Sequence, residues 1–187
     1  MSSTLAASPV TARPSDSRST AELSTEQDQL MDAVFAMFGA DELPEGMTSA
    51  GNTPPWVLSI DDDVDFSDAM KSRLESHGVA VVRAYNGMEG YRMAFSQPCS
   101  TILLDYNMPN GQGDYVLRRL KESPVTSDIP VVMITGVKDK SVERKVRGLG
   151  AAAYFEKPVK FEDLRHELSK YIDILAEPSE PGVETLG

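Results

Sequence analysis

The chain has 187 residues, 41% hydrophobic and 25% charged, enough for one domain with its own core plus flanking segments. No apolar run approaches the roughly 18 residues of a membrane span, and residues 1–25 lack the apolar stretch of a signal peptide, so no membrane insertion and a cytoplasmic location are expected. The net charge of −11 sits mainly in the flanks (−6 over residues 1–53, −2 over 54–173, −3 over 174–187), which speaks against nucleic-acid binding through the tails.

Residues 1–23, rich in Ser, Thr, Ala and Pro without periodicity, read as a disordered tail. Ser24 and Gln27 stand at capping-box spacing and open a short amphipathic helix over 24–39, with Leu30, Met31, Val34, Phe35 and Phe38 on its apolar face. So short a helix needs something to dock on: the adjoining domain, a second copy in a homodimer, or a partner. Residues 40–54, with Pro44, Gly46, Gly51 and Pro54, read as a linker.

Over 55–176 the pattern is regular. Strands are expected at Val57–Ile60, Val79–Tyr85, Thr101–Asp105, Pro130–Thr135 and Ala153–Phe155. Helices are expected at Phe66–Ser76, Met88–Phe95, Asp114–Glu122, Ser141–Leu149 and Phe161–Ala176. Five strands alternating with helices specify an α/β fold, a parallel sheet with helices on both faces, and residues 177–187 read as a frayed tail. Cys99 cannot form an internal disulfide and reads as a small buried residue, in keeping with a reducing compartment.

The chemistry gathers at the strand ends. The first strand runs into Asp61-Asp62-Asp63, the third into Asp105, the fourth ends in Thr135, and Lys157 follows the fifth. Parallel strands bring these ends to one edge of the sheet, where open α/β folds bind ligands. Clustered carboxylates there repel and raise one another's pKa, a cost that a hard divalent cation such as Mg²⁺ would offset. With a lysine and a threonine hydroxyl beside it, the set suits phosphoryl transfer to a carboxylate nucleophile.

The stretches Ile60-Asp61-Asp62-Asp63, Leu104-Asp105-Tyr106-Asn107-Met108-Pro109, Ile134-Thr135-Gly136 and Phe155-Glu156-Lys157-Pro158 strongly resemble the response-regulator receiver domain, the CheY-like module of two-component signalling. Asp62, Asp105, Thr135 and Lys157 follow one another at intervals of 43, 30 and 22 residues, which suit that family. The resemblance implies a flavodoxin-like, doubly wound five-stranded sheet of order 2-1-3-4-5. It implies that Asp105 is the phospho-acceptor and that Asp62, Asp105 and the backbone carbonyl of Asn107 bind Mg²⁺, with Asp61 holding the metal through water. Thr135 and Lys157 would contact the phosphoryl group, the Lys157–Pro158 bond would be cis, and Thr135 with Tyr154 would form the switch. The implied partners are a sensor histidine kinase or phosphotransfer protein and an unidentified output protein. The chemistry would be self-catalysed aspartyl phosphorylation and dephosphorylation rather than enzyme turnover.

Gly136, Gly111-Gln112 and Tyr106 depart from the family pattern but spare the acceptor and metal ligands, while Asn107 and Val137 fall where the family tunes hydrolysis. Asp61-x-Asp63-x-Asp65 also resembles the start of a calcium EF-hand loop, but Phe66 and Ser72 stand where glycine and glutamate are required. A haloacid-dehalogenase-type phosphatase fails similarly, since Asp65 and Asn107 break its motif. The basic run Lys138–Arg147 alternates with Asp139 and Glu143 as in a solvated helix, and His77 and His166 read as surface or capping residues. The expected protein is a single-domain regulator without DNA-binding output, switching a protein–protein surface; its rival is a constitutive, non-phosphorylated interaction scaffold.

Overall fold

The structure, a computed structural model, describes residues 56–97, 99–108 and 112–176. The tails, helix and linker expected over 1–54 and 177–187 lie outside the described residues, as do Pro109 and Gly111. Five strands, β1 (Trp56–Ile60), β2 (Ala80–Ala84), β3 (Thr101–Leu104), β4 (Val131–Thr135) and β5 (Ala153–Glu156), alternate with five helices. These are α1 (Val64–Ser76), α2 (Gly87–Ser96), α3 (Gly113–Glu122), α4 (Lys140–Gly148) and α5 (Phe161–Leu168). Every strand pairing is parallel and the order is β2-β1-β3-β4-β5, the flavodoxin-like order expected. Among the described residues no helix is long and apolar enough to cross a membrane.

The three central strands are apolar on both faces because both faces are covered, and every residue of β1, β3 and β4 is buried. Leu58, Ile60, Ile102, Leu104 and Met133 pack on one face with Ala94 of α2, Val116, Leu117 and Leu120 of α3, and Val146 of α4. Val57, Leu103, Val132 and Ile134 alternate to the other face, against Met70 and Leu74 of α1 and Leu164 and Leu168 of α5. The edge strands β2 and β5 carry the partly exposed positions.

Two boundaries differ from the sequence pattern by two residues or more. Helix α1 starts at Val64 rather than Phe66, because the Asp63 side chain accepts the Phe66 N–H at 3.0 Å and caps the first turn. It closes, as expected, at His77-Gly78, with Gly78 at φ 81°. His77 is a cap but not a surface residue: its Nδ1 lies 2.8 Å from the Arg73 carbonyl and its ring packs 5.0 Å from that of Phe161. Helix α5 stops at Leu168 rather than Ala176. Beyond it the bonding tightens, with Lys170 N–H donating to the Glu167 carbonyl and Tyr171 N–H to that of Leu168. The chain then turns so that Leu175 N–H donates to the His77 carbonyl at 3.0 Å, and Leu175 itself is exposed.

Candidate functional site

Backbone hydrogen bonds carry the ladder one step past the strands and set the key residues on the sheet edge. Asp61 N–H donates to the Ala84 carbonyl at 3.0 Å, Asp105 N–H to that of Ile60 at 2.9 Å, and Lys157 N–H to that of Thr135 at 2.8 Å. The pairing of Ile60 with Leu104 puts Asp61 and Asp105 side by side. By alternation along their strands, Asp61 and Asp105 lean toward the α1/α5 face, as Lys157 does past Phe155. The Lys157–Pro158 peptide bond is cis.

One oxygen from each of Asp61, Asp62 and Asp105 lies within 4.8 Å of the others. Lys157 Nζ donates to Asp61 Oδ2 at 2.7 Å and stands 3.7 Å from Asp105 Oδ1. Asp105 Oδ2 accepts the Asn107 N–H at 3.1 Å, whereas Oδ1 is buried without a hydrogen-bond partner. Asp105 is only 5% exposed. Burial pushes its pKa up to about 6; the nearby Lys157 charge pulls down and the Asp61 carboxylate pushes up. Burial also raises Asp61, against the hydrogen bond from Lys157. The upward pressure therefore comes first from lost hydration and only second from the mutual repulsion expected on sequence grounds.

The acidic trio divides. Asp61 and Asp62 join Asp105, while Asp63 takes the helix cap. An orphaned buried carboxylate oxygen within an all-oxygen donor set fits a hard divalent cation such as Mg²⁺. An EF-hand loop does not fit, since helix α1 begins directly after Asp63.

Thr135 and Tyr154 alternate to the other face, and both bond to the backbone of one residue, Val137. Val137 N–H donates to Thr135 Oγ1 at 3.2 Å, and the Tyr154 hydroxyl donates to the Val137 carbonyl at 2.6 Å. Thr135 is fully buried and Tyr154 half-buried. The sequence marks Val137 only as a position where the family tunes hydrolysis and does not reveal its place between the two side chains.

Two further residues support the site without a strong sequence signal. Gly113 N–H donates to the Tyr106 carbonyl at 2.7 Å, and a Cβ on Gly113 would run into the Asp105 carbonyl and lie 2.7 Å from Tyr106 Cα. This glycine lets α3 start against the backbone of Asp105; its signal is its survival where Gly111-Gln112 depart from the family. Phe66, read only as part of an apolar helix face, places its ring centroid 4.3 Å from Lys157 Nζ. The basic residues of α4 are partly paired: Arg147 donates to Glu143 at 2.9 Å, and Lys145 pairs with Asp114, whose carboxylate also accepts from the Tyr106 hydroxyl at 3.5 Å.

Comparison with known proteins places this geometry. The family model of the response regulator receiver domain matches residues 57–169. The DNA-binding dual master transcriptional regulator RpaA of Synechocystis is 35% identical over 112 residues, 59% of this chain and 46% of RpaA. The chain thus spans about half the length of that relative. Protein PilH of Pseudomonas aeruginosa is 36% identical over 110 residues, 58% of this chain and 89% of PilH. Among solved structures, a response regulator of Burkholderia pseudomallei, determined with a phosphorylated aspartic acid, a calcium ion and citrate, is 25% identical with a TM-score of 0.57. That match covers 61% of this chain and 66% of that one.

Proposed function

Because the chain belongs to the response regulator receiver domain family, we propose that Asp105 accepts a phosphoryl group from a histidine kinase or phosphotransfer protein and that this switches a protein-binding surface. The observation that carries the reading is the buried carboxylate of Asp105, with one oxygen free of hydrogen bonds and an ammonium 3.7 Å away. An Asp105 oxygen attacks phosphorus, the P–N bond of the donor phosphohistidine breaks, and its electron pair stays on the imidazole nitrogen. Lys157 neutralises charge developing on the phosphoryl oxygens, and the Thr135 hydroxyl has a proton left to donate, since it accepts from Val137. Asp61, Asp62 and Asp105, with the Asn107 carbonyl, would hold Mg²⁺, which when bound supplies further charge neutralisation at those oxygens.

Once Thr135 turns toward the phosphoryl group, its bond to Val137 is lost, and the Tyr154 hydroxyl on the same residue loses a fixed partner. The β4–α4 segment and α4 would then repack. That the match takes in 89% of PilH, a protein little longer than the matched receiver stretch, is in keeping with a receiver that works through protein contact. The phosphorylated aspartate and calcium ion named for the Burkholderia regulator support the same chemistry.

Incubation with Mg²⁺ and acetyl phosphate, followed by intact mass, tests the reading. A Mg²⁺-dependent gain of one phosphoryl group, absent in Asp105→Asn, is expected. No gain from acetyl phosphate or from purified histidine kinases would leave the constitutive scaffold as the better reading.

A further inference from the structure

Lys157 is held by more than its two carboxylates. Its ammonium lies 2.7 Å from Asp61 Oδ2 and 3.7 Å from Asp105 Oδ1, and on a third side faces the Phe66 ring, 4.3 Å from the centroid. That distance is well inside the roughly 6 Å over which an aromatic face attracts a cation. The ring is itself fixed. Phe66 is half-buried against the α1/α5 core, and its N–H is bound by the capping Asp63 side chain.

We propose that Phe66 is a positioning residue for Lys157, its ring face holding the ammonium beside the acceptor carboxylate. This rests on the reading of Asp105 as acceptor and of Lys157 as the phosphoryl counter-charge. The physical case is one of competing partners. A lysine head on a flexible four-carbon stem can follow any nearby carboxylate, and Asp61 is the closer of the two. The ring attracts the ammonium without neutralising it. It limits the wandering of Lys157 and leaves its charge available to a third anion. An aliphatic residue would fill the same space and bury the same carbons, but it has no negative π face.

The test uses the full chain as wild type, Phe66→Leu, Phe66→Tyr, Lys157→Met and the double variant Phe66→Leu/Lys157→Met. One readout is the chemical shift of the Lys157 ε-methylene protons in lysine-labelled protein, which a ring face moves upfield. The other is the rate of phosphorylation by acetyl phosphate with Mg²⁺. The ε-methylene resonance is expected upfield in wild type and Phe66→Tyr, and at ordinary lysine values in Phe66→Leu. Phe66→Leu is expected to slow phosphorylation about fivefold and Phe66→Tyr less than about twofold. In the Lys157→Met background Phe66→Leu is expected to add nothing, which loss of packing alone would not produce. An unmoved Lys157 resonance in Phe66→Leu, or equal slowing with and without Lys157, overturns the proposal. Phe66→Met replaces Phe66→Leu in every comparison if the leucine variant does not fold. A wild type that gains no phosphoryl group would overturn the acceptor reading instead, while the ε-methylene resonance still decides whether the ring holds Lys157.

Discussion

Asp105 keeps its carboxylate where water reaches it poorly, and the consequence can be measured. Its folded pKa of about 6 lies above the ordinary 3.8, so the folded state holds the proton more tightly than the unfolded chain. Stability contributed by this group is therefore present in full below about pH 4 and is lost as pH rises through about 6. Asp105→Asn, which cannot ionise, is therefore expected to stabilise the metal-free protein at pH 7 by up to about 3 kcal/mol and to change little at pH 4. Urea unfolding at the two pH values checks this; an equal effect at both would mean that burial does not penalise the charge. Since a metal binds the carboxylate and not the acid, Mg²⁺ affinity should fall as pH drops through about 6.

At the scale of an element, the entry to α1 divides three consecutive aspartates between two tasks. Asp63 caps the helix through the Phe66 N–H, while Asp61 and Asp62 face Asp105. Asp63→Ala is expected to cost about 1 kcal/mol of stability and to leave Mg²⁺ affinity within about twofold. Asp62→Ala, at an exposed position, should leave stability within about 0.5 kcal/mol but weaken Mg²⁺ at least about tenfold. Denaturation and calorimetric Mg²⁺ titration of both variants separate the roles, and the reverse pattern would assign them wrongly. Helix α3 shows the same economy, since its first residue, Gly113, has no Cβ to collide with the Asp105 carbonyl.

At the scale of the whole described domain, the carboxylate–lysine cluster and the Thr135–Tyr154 pair lie on opposite faces of one sheet edge. Asp61, Asp105 and Lys157 lean toward α1 and α5, whereas Thr135 and Tyr154 lean toward α4, joined through Val137. If Asp105 is the acceptor as proposed, a change there can reach α4 through the backbone of one residue, Val137. Few buried contacts oppose it, because only Val146 of α4 is buried. On addition of Mg²⁺ and acetyl phosphate, amide exchange over 136–148 is expected to change, while Leu58, Leu103 and Val132 stay protected. A mass gain without any change over 136–148 would show phosphorylation without the switch.

Sequence alone determined most of the architecture. Apolar runs bounded by turn residues marked β1, β3 and β4, and helical spacing marked the helices between them, because burial on two faces or on one stripe leaves a local period. The strand-end residues Asp61, Asp105, Thr135 and Lys157 were legible for a related reason: polar groups that interrupt buried runs stand out. What tertiary structure decided was partnership. That Asp63 caps while Asp61 receives Lys157, 96 residues along the chain, depends on cap geometry and strand register. The same holds for Val137 between Thr135 and Tyr154, for Phe66 beneath an ammonium, and for the early end of α5. Periodicity records whether a side chain faces the core, but hydrogen bonds and charge contacts act over about 3–4 Å, a distance that only the packed sheet and its neighbouring helices bring about.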